Sequence, residues 1–234
     1  MTAQALQKDL KNYSSKEKAK ILQRFFKTGP GEYAQGDRFI GVKVPQIRAV
    51  VKKHRDIDIK HVVTLLKSPI HEERLAALLL LVLRYKQSKQ PGQEKIYQIY
   101  LKHTRQINNW DLVDLSAEHI VGAFLRDKTK TPLYALAQSA SLWERRIAML
   151  STFHYIKQGF FEEALKIASL LLRDEEDLIH KAVGWMLREV GKRDNAVEEQ
   201  FLRRHYRQMP RTMLRYAIEK FPEAKRQAYL QGTV

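Results

Sequence analysis

Trp110 and Asp114, inside NNWDLVD at 108–114, stand four residues apart in a chain that carries 42 Lys and Arg against 26 Asp and Glu. On a helix, positions i and i+4 share a face, so the pair can present an indole ring and a carboxylate to one ligand. That combination suits a substrate that becomes cationic as it reacts, because the carboxylate supplies charge and the ring supplies cation-π attraction. A purely structural reading is open and locally simpler: Asp111 or Asp114 caps the helix start and Trp110 packs as a hydrophobic staple. With Val113, Leu115, Ile120, Val121 and Phe124 around it, Asp114 needs a donor, a cation or water in either case.

Two further stretches combine tryptophan with cations. In LWERRIAML at 142–150, Arg145 and Arg146 point in different directions around a helix. One can reach solvent or phosphate while the other pairs with an acid such as Asp114 or Glu118, and Trp143 reads as a packing anchor. In HKAVGWMLREVGK at 180–192, Gly184 interrupts a strong helical pattern. Glycine there costs about 1 kcal/mol against alanine, which points to close approach by another helix or by a ligand beside Trp185. Lys181, Arg188 and Lys192 fall on one side of that helix, as a solvated basic stripe or as anion contacts.

Other chemistries find little support. The eight histidines show no HExxH or comparable ligand spacing, so no metal site is expected and most read as surface or packing residues. Neither a P-loop nor a dinucleotide fingerprint occurs, nothing marks a nucleophile elbow, and no cofactor is expected. The absence of cysteine excludes disulfides, thiolate metal sites and cysteine catalysis. What stands out is a formal charge of +16, which favours a polyanionic partner through Coulomb attraction and counterion release. The cations cluster. Residues 201–230 hold Lys or Arg at 203, 204, 207, 211, 215, 220, 225 and 226 against Glu219 and Glu223 alone, and 41–55 hold Lys43, Arg48, Lys52, Lys53 and Arg55 with no acid. Arg48, Arg146, Lys181, Arg188 and Arg215 are the candidate phosphate contacts.

The elements that must position these residues are helical throughout. Periodicity near 3.6 predicts helices near 3–12, 15–28, 44–55, 58–68, 71–87, 92–104, 111–126, 131–139, 142–158, 160–172, 175–192, 195–207, 211–220 and 222–231. No segment alternates convincingly as a strand, so the class is all-α. KTGPGEYAQGDRFIGVKVP at 27–45 concentrates four of ten glycines and two of seven prolines, which predicts a structured loop or short turns. Ser141 is placed to cap the helix beginning LWE, with Glu144 completing a capping box. ALLLLVL at 77–83 is too short to span a bilayer and MTAQALQKDLKNYSSKEKAK has no apolar signal core, so a cytosolic location without a membrane partner is the expectation. A single domain over 1–234, acting as a monomer, is the simplest organisation.

A weak repeat runs through the helices. Aligned on apolar positions, EERLAALLLLVLRY, DLVDLSAEHIVGAFL, WERRIAMLSTFHYI, LIHKAVGWMLREVG and PRTMLRYAIEKF place Arg74, Asp114, Arg146, Lys181 and Thr212 in equivalent positions, 40, 32, 35 and 31 residues apart. That interval suits paired helices stacked as a HEAT-type solenoid, with a compact bundle as the alternative.

NNWDLVD at 108–114, LWERRIAML at 142–150, KAVGWMLREVGK at 181–192, RTMLRYAIEKF at 211–221 and GVKVPQIR at 41–48 together resemble the DNA alkylation repair family of HEAT-like alkylpurine DNA glycosylases, over nearly the whole chain. The resemblance implies a curved all-α repeat whose basic concave face holds duplex DNA. It also implies hydrolysis of the N-glycosidic bond of cationic N3- and N7-alkylated purines, without flipping the lesion into a pocket. It assigns the catalytic roles to Asp114, Trp110 and Trp185, and a backbone contact near the lesion to Arg146. Two departures are the long Gly-rich loop at 27–41 and Phe25, which stands where the family can carry an aromatic with a hydroxyl. A noncatalytic HEAT-repeat protein that binds damaged or structured DNA is the rival reading, and a protein-binding helical repeat is a third.

Overall fold

The computed structural model describes all residues 1–234, and its elements are helices and turns joined by one isolated bridge between Arg38 and Ile70. They gather into two compact units, Met1–Ser116 and Ala117–Val234. No helix is long and apolar enough to cross a membrane.

In the first unit the helices are α1 (Ala3–Lys11), α2 (Lys16–Phe25), α3 (Val44–Lys53), α4 (Ile59–Leu66), α5 (His71–Gln87), α6 (Gln90–Lys102) and α7 (Trp110–Asp114), with a 3-10 turn at Thr104–Gln106. The core is α5. Every residue from His71 to Val82 is buried, and α1, α3, α4 and α6 pack around it. A helix apolar on all sides belongs at the centre of a helical layer.

A buried polar residue near its start holds the end of the Gly-rich segment. Glu72 accepts hydrogen bonds from the amides of Ile40, Gly41 and Val42 at 3.1, 2.8 and 3.2 Å, so a buried carboxylate fixes the loop's last turn. Gly41 has φ 82°, and a Cβ there would lie 2.2 Å from the Ser15 carbonyl oxygen; only glycine fits.

The second unit opens with a π-helical turn at Glu118–Gly122 that continues into α8 (Ala123–Leu125). Then follow α9 (Thr131–Ala137), α10 (Leu142–Ser151), α11 (Phe153–Ile156), α12 (Glu162–Leu170), α13 (Asp177–Gly191), α14 (Asn195–His205), α15 (Arg211–Ala217), a 3-10 turn at Ile218–Lys220 and α16 (Glu223–Gln231). Here α13 is the hub, packed against α10, α12, α14 and α15.

Two predicted helices are therefore broken. The span 111–126 divides after Asp114, and 142–158 divides at Thr152. Gly122 marks the cause of the wide turn in the first of these: a Cβ on it would lie 2.2 Å from the Ser151 carbonyl oxygen, so α10 and this segment touch backbone to side.

Hydrogen bonding reveals a repeat finer than the apolar pattern. Ser68 Oγ accepts from the Ile70 amide and donates to Glu73, while Arg74 donates to the Ser68 carbonyl. Ser139, Ser141, Glu144 and Arg145 repeat the same bonds at the same offsets. In the third copy Asp174 accepts from the Glu176 amide and its carbonyl faces His180 Nε2, again six residues on. The equivalent positions are thus Arg74, Arg145 and His180, one residue away from the apolar alignment at the last two. The expected capping box at Ser141 is replaced by this device: Ser141 occupies the N-cap position without a side-chain bond, and Glu144 accepts from Ser139 instead.

Candidate functional site

Helix α7 is five residues long, and within it Asp111, Leu112 and Val113 are buried while Trp110 and Asp114 are half-exposed. Helix α7 spans both residues of the predicted pair, and Trp110 and Asp114 are the two of its five that reach solvent. Asn109 provides the cap, its Oδ1 accepting from the Trp110 amide at 2.9 Å, so neither aspartate is needed for that purpose.

Aromatic side chains hold Trp110 from behind. Phe26 stacks on it at 5.1 Å between centroids and 22° between planes, and Phe25 meets it edge-on at 5.9 Å. Phe26 in turn stacks on Phe39 at 5.0 Å, and Phe39 on the His71 ring at 4.3 Å. Phe25 is 62% exposed, so it extends the aromatic surface outward beside the indole.

Asp114 acts on its surroundings through charge. Burial pushes the Tyr100 phenol upward, a hydrogen bond with Ser116 at 2.9 Å opposes it without winning, and the Asp114 carboxylate adds a smaller upward push. Tyr100 is therefore neutral under Asp114 at all ordinary pH.

Asp111, which the sequence offered as a cap, has a different partner. Its Oδ2 lies 2.8 Å from His71 Nε2, and the opposite ring nitrogen, Nδ1, lies 2.9 Å from Asp37 Oδ2. All three residues are buried. Burial is the largest single influence on His71 and lowers its pKa, but the hydrogen bonds and charges of Asp111 and Asp37 together outweigh it and raise the ring to about 9. Arg74 completes the set, donating to Asp37 Oδ1 at 2.7 Å, to Asn108 Oδ1 at 3.1 Å and to the Gln106 carbonyl at 3.1 Å. Sequence reading left His71 among the packing histidines and did not connect Asp37 to it; the contacts join residues 34 and 40 apart, and no local spacing signals them.

In the second unit Trp185 is half-exposed on α13, 5.9 Å from the Phe153 ring. Lys157 Nζ sits 4.2 Å over that phenylalanine and pairs with Glu118 at 2.6 Å, while Arg193 approaches the ring at 5.9 Å. The close approach inferred at Gly184 is present: α15 packs against it.

The candidate phosphate contacts fall into two groups. Arg48 and Arg215 are exposed. Lys181 pairs with Asp177 at 2.7 Å, Arg188 pairs with Glu219, and Arg146 is only 5% exposed with Nη1 donating to the Leu178 carbonyl at 2.5 Å. Its neighbour Arg145 takes Asp174 through Nε and Nη2 at 2.6 and 3.2 Å, so the acid in this second arginine's pair is neither of the two considered from sequence.

Comparison with solved structures finds the same fold in two bacterial proteins. One, described as a predicted DNA alkylation repair enzyme from Enterococcus faecalis, has a TM-score of 0.68 and 16% identity, covering 90% of this chain and 97% of that one. The other is smu.31 from Streptococcus mutans UA159, with a TM-score of 0.53 and 17% identity over 94% of this chain and 99% of that one. At such identities the likeness speaks to fold. No curated protein matches the sequence. The model of the DNA alkylation repair enzyme family, however, matches residues 6–221, and the chain belongs to that family.

Proposed function

We propose that this protein is a DNA glycosylase that hydrolyses the N-glycosidic bond of cationic N3- and N7-alkylated purines in duplex DNA, without extruding the lesion into a closed pocket. The observation that carries the reading is α7, where an indole and a carboxylate are the half-exposed residues of an otherwise buried helix, in a chain of formal charge +16 from a DNA alkylation repair family.

The chemistry follows from the leaving group. A cationic alkylpurine departs without prior protonation, so no strong general acid is required. Positive charge grows on the deoxyribose as the bond lengthens, and a carboxylate beside C1′ stabilises it and orients the attacking water. Two unit charges about 4 Å apart at an effective dielectric near 20 interact by on the order of 4 kcal/mol, which sets a scale of about a thousandfold in rate. Asp114 has this role. Trp110 and Trp185 offer ring faces to the polarised sugar, each contributing roughly 0.5–2 kcal/mol. Arg48 and Arg215, exposed and basic, serve as sequence-independent phosphate contacts. Arg146, Lys181 and Arg188 belong to the same duty, with the lesser share, because each has an internal acceptor. The protein acts as a monomer on DNA, in the cytoplasm, with no cofactor.

The test is single-turnover release of 7-methylguanine from duplex DNA by the Asp114→Asn variant. Its rate is expected to fall by two orders of magnitude or more, while affinity for an abasic-site duplex stays within a few fold. Release at the parent rate by the variant, or no release by the parent, overturns the assignment. A parent that binds damaged duplexes tightly without releasing base identifies the noncatalytic DNA-binding reading instead.

A further inference from the structure

His71 lies at the first position of α5, buried to 2% exposure, with a carboxylate against each ring nitrogen. A carboxylate only accepts hydrogen bonds. A neutral imidazole has one N–H and one lone pair, so it can satisfy one of these two acceptors and must turn a lone pair toward the other; the doubly protonated ring satisfies both. The charged groups facing the ring are Asp37 from the Gly-rich loop, Asp111 from α7 and, beyond Asp37, Arg74 from its own helix. Two anions and two cations close the set, which is what a buried cluster of charges needs to be tolerated.

The position of this cluster relative to α7 gives it a functional meaning. Asp111 immediately follows Trp110 and lies three residues before Asp114, in a helix too short to hold its own orientation. Its carboxylate grips α7 from within: Oδ1 accepts from the Leu112 amide at 2.9 Å and Oδ2 faces His71. Phe26 links the two residues, stacking on the indole while lying 5.2 Å from the His71 ring. Arg74 anchors the approach to α7 through Gln106 and Asn108.

We propose that His71 is a positioning residue: as an imidazolium bridging Asp37 and Asp111, it holds α7 so that Trp110 and Asp114 present their working faces together. Its deprotonation turns a lone pair toward one of the two carboxylates, and when that one is Asp111 the helix loses the bond that sets its rotation. The raised pKa of about 9 agrees with this geometry and places the release on the alkaline side of neutrality. The catalytic consequence rests on the glycosylase reading above; the coupling between His71 and α7 does not.

The experiment has two arms. In the first, nuclear magnetic resonance of the parent protein follows the His71 ring and the Trp110 indole N–H while pH rises from 7 toward 10. One shared midpoint is expected, and an indole signal that stays still while His71 titrates overturns the proposal. In the second, single-turnover release of 7-methylguanine is measured against pH for the parent and for His71→Gln. The parent is expected to lose rate through the His71 midpoint. The variant is expected to be slower at pH 7.5, by roughly 10- to 100-fold, the scale of a misplacement near 1 Å, and to lack that alkaline limb. A variant with the parent's rate and pH profile overturns the positioning role. Should His71→Gln fail to fold, the first arm still decides. A shared midpoint in a parent that releases no base leaves the coupling standing and removes the glycosylase reading.

Discussion

Gly184 lies against Met213 so closely that a Cβ on the glycine would stand 2.4 Å from the Met213 carbonyl oxygen, with the Tyr216 Cβ at 2.5 Å. A backbone oxygen cannot rotate out of the way. Gly184→Ala is therefore expected to destabilise the second unit by about 1–3 kcal/mol through overpacking, even after the gain of roughly 1 kcal/mol in helix propensity. Urea unfolding measures the balance, and a midpoint equal to or above the parent's would show that α13 and α15 can part without penalty.

Glu198 gives a second measurable effect. This buried acid on α14 is pressed against Gly191, where a Cβ would lie 1.6 Å from Glu198 Oε2, and Oε1 has no hydrogen-bond partner. Burial pushes its carboxyl up to about 8, against the opposing charges of Arg188 and Lys225. A folded-state pKa above the ordinary value of 4.5 means that its contribution to stability is complete below about pH 4.5 and fades as pH rises through about 8. Glu198→Gln keeps the shape without the charge, so thermal melts between pH 5 and 9 should show the variant gaining on the parent as pH rises. His71 loses its contribution on the same side, from about 6.5 to about 9, but it is present in both proteins and cancels in the difference. Parallel melting curves would contradict the account of Glu198.

DNA affinity provides a third. Arg48→Ala combined with Arg215→Ala removes two exposed charges, and each lost phosphate contact should reduce the slope of log affinity against log salt by about 0.9. Stability should change by no more than about 0.5 kcal/mol for each surface site. An unchanged slope on undamaged duplex would place DNA elsewhere on the protein.

The helical class and most helix positions are readable from periodicity because most of the helices bury one face; α5, buried on every side, is readable by its length and its acidic start. The break after Asp114 is not. Residues 117–125 continue the apolar helical pattern, and the wide turn there answers to the closeness of Gly122 and Ser151, a contact 29 residues distant along the chain. The repeat register was misread by one residue for a related reason. An apolar stripe is broad enough to slide by a position, whereas the bonds of Ser68 with Arg74 and of Ser139 with Arg145 permit only one alignment. At the candidate site, spacing predicts one helix for Trp110 and Asp114, and α7 spans both. It offers capping as one role for Asp111 because capping is local, whereas the partner the structure shows, His71, is 40 residues away.

The clamp around His71 also limits what kind of reaction can run beside it. With Nδ1 facing Asp37 and Nε2 facing Asp111, neither nitrogen is available to relay a proton to or from a bound base. The protein has given this imidazole over to architecture. In the glycosylase reading it must then favour lesions whose own alkyl group has already made them ready to leave, and neutral damaged bases that require an acid should pass through untouched.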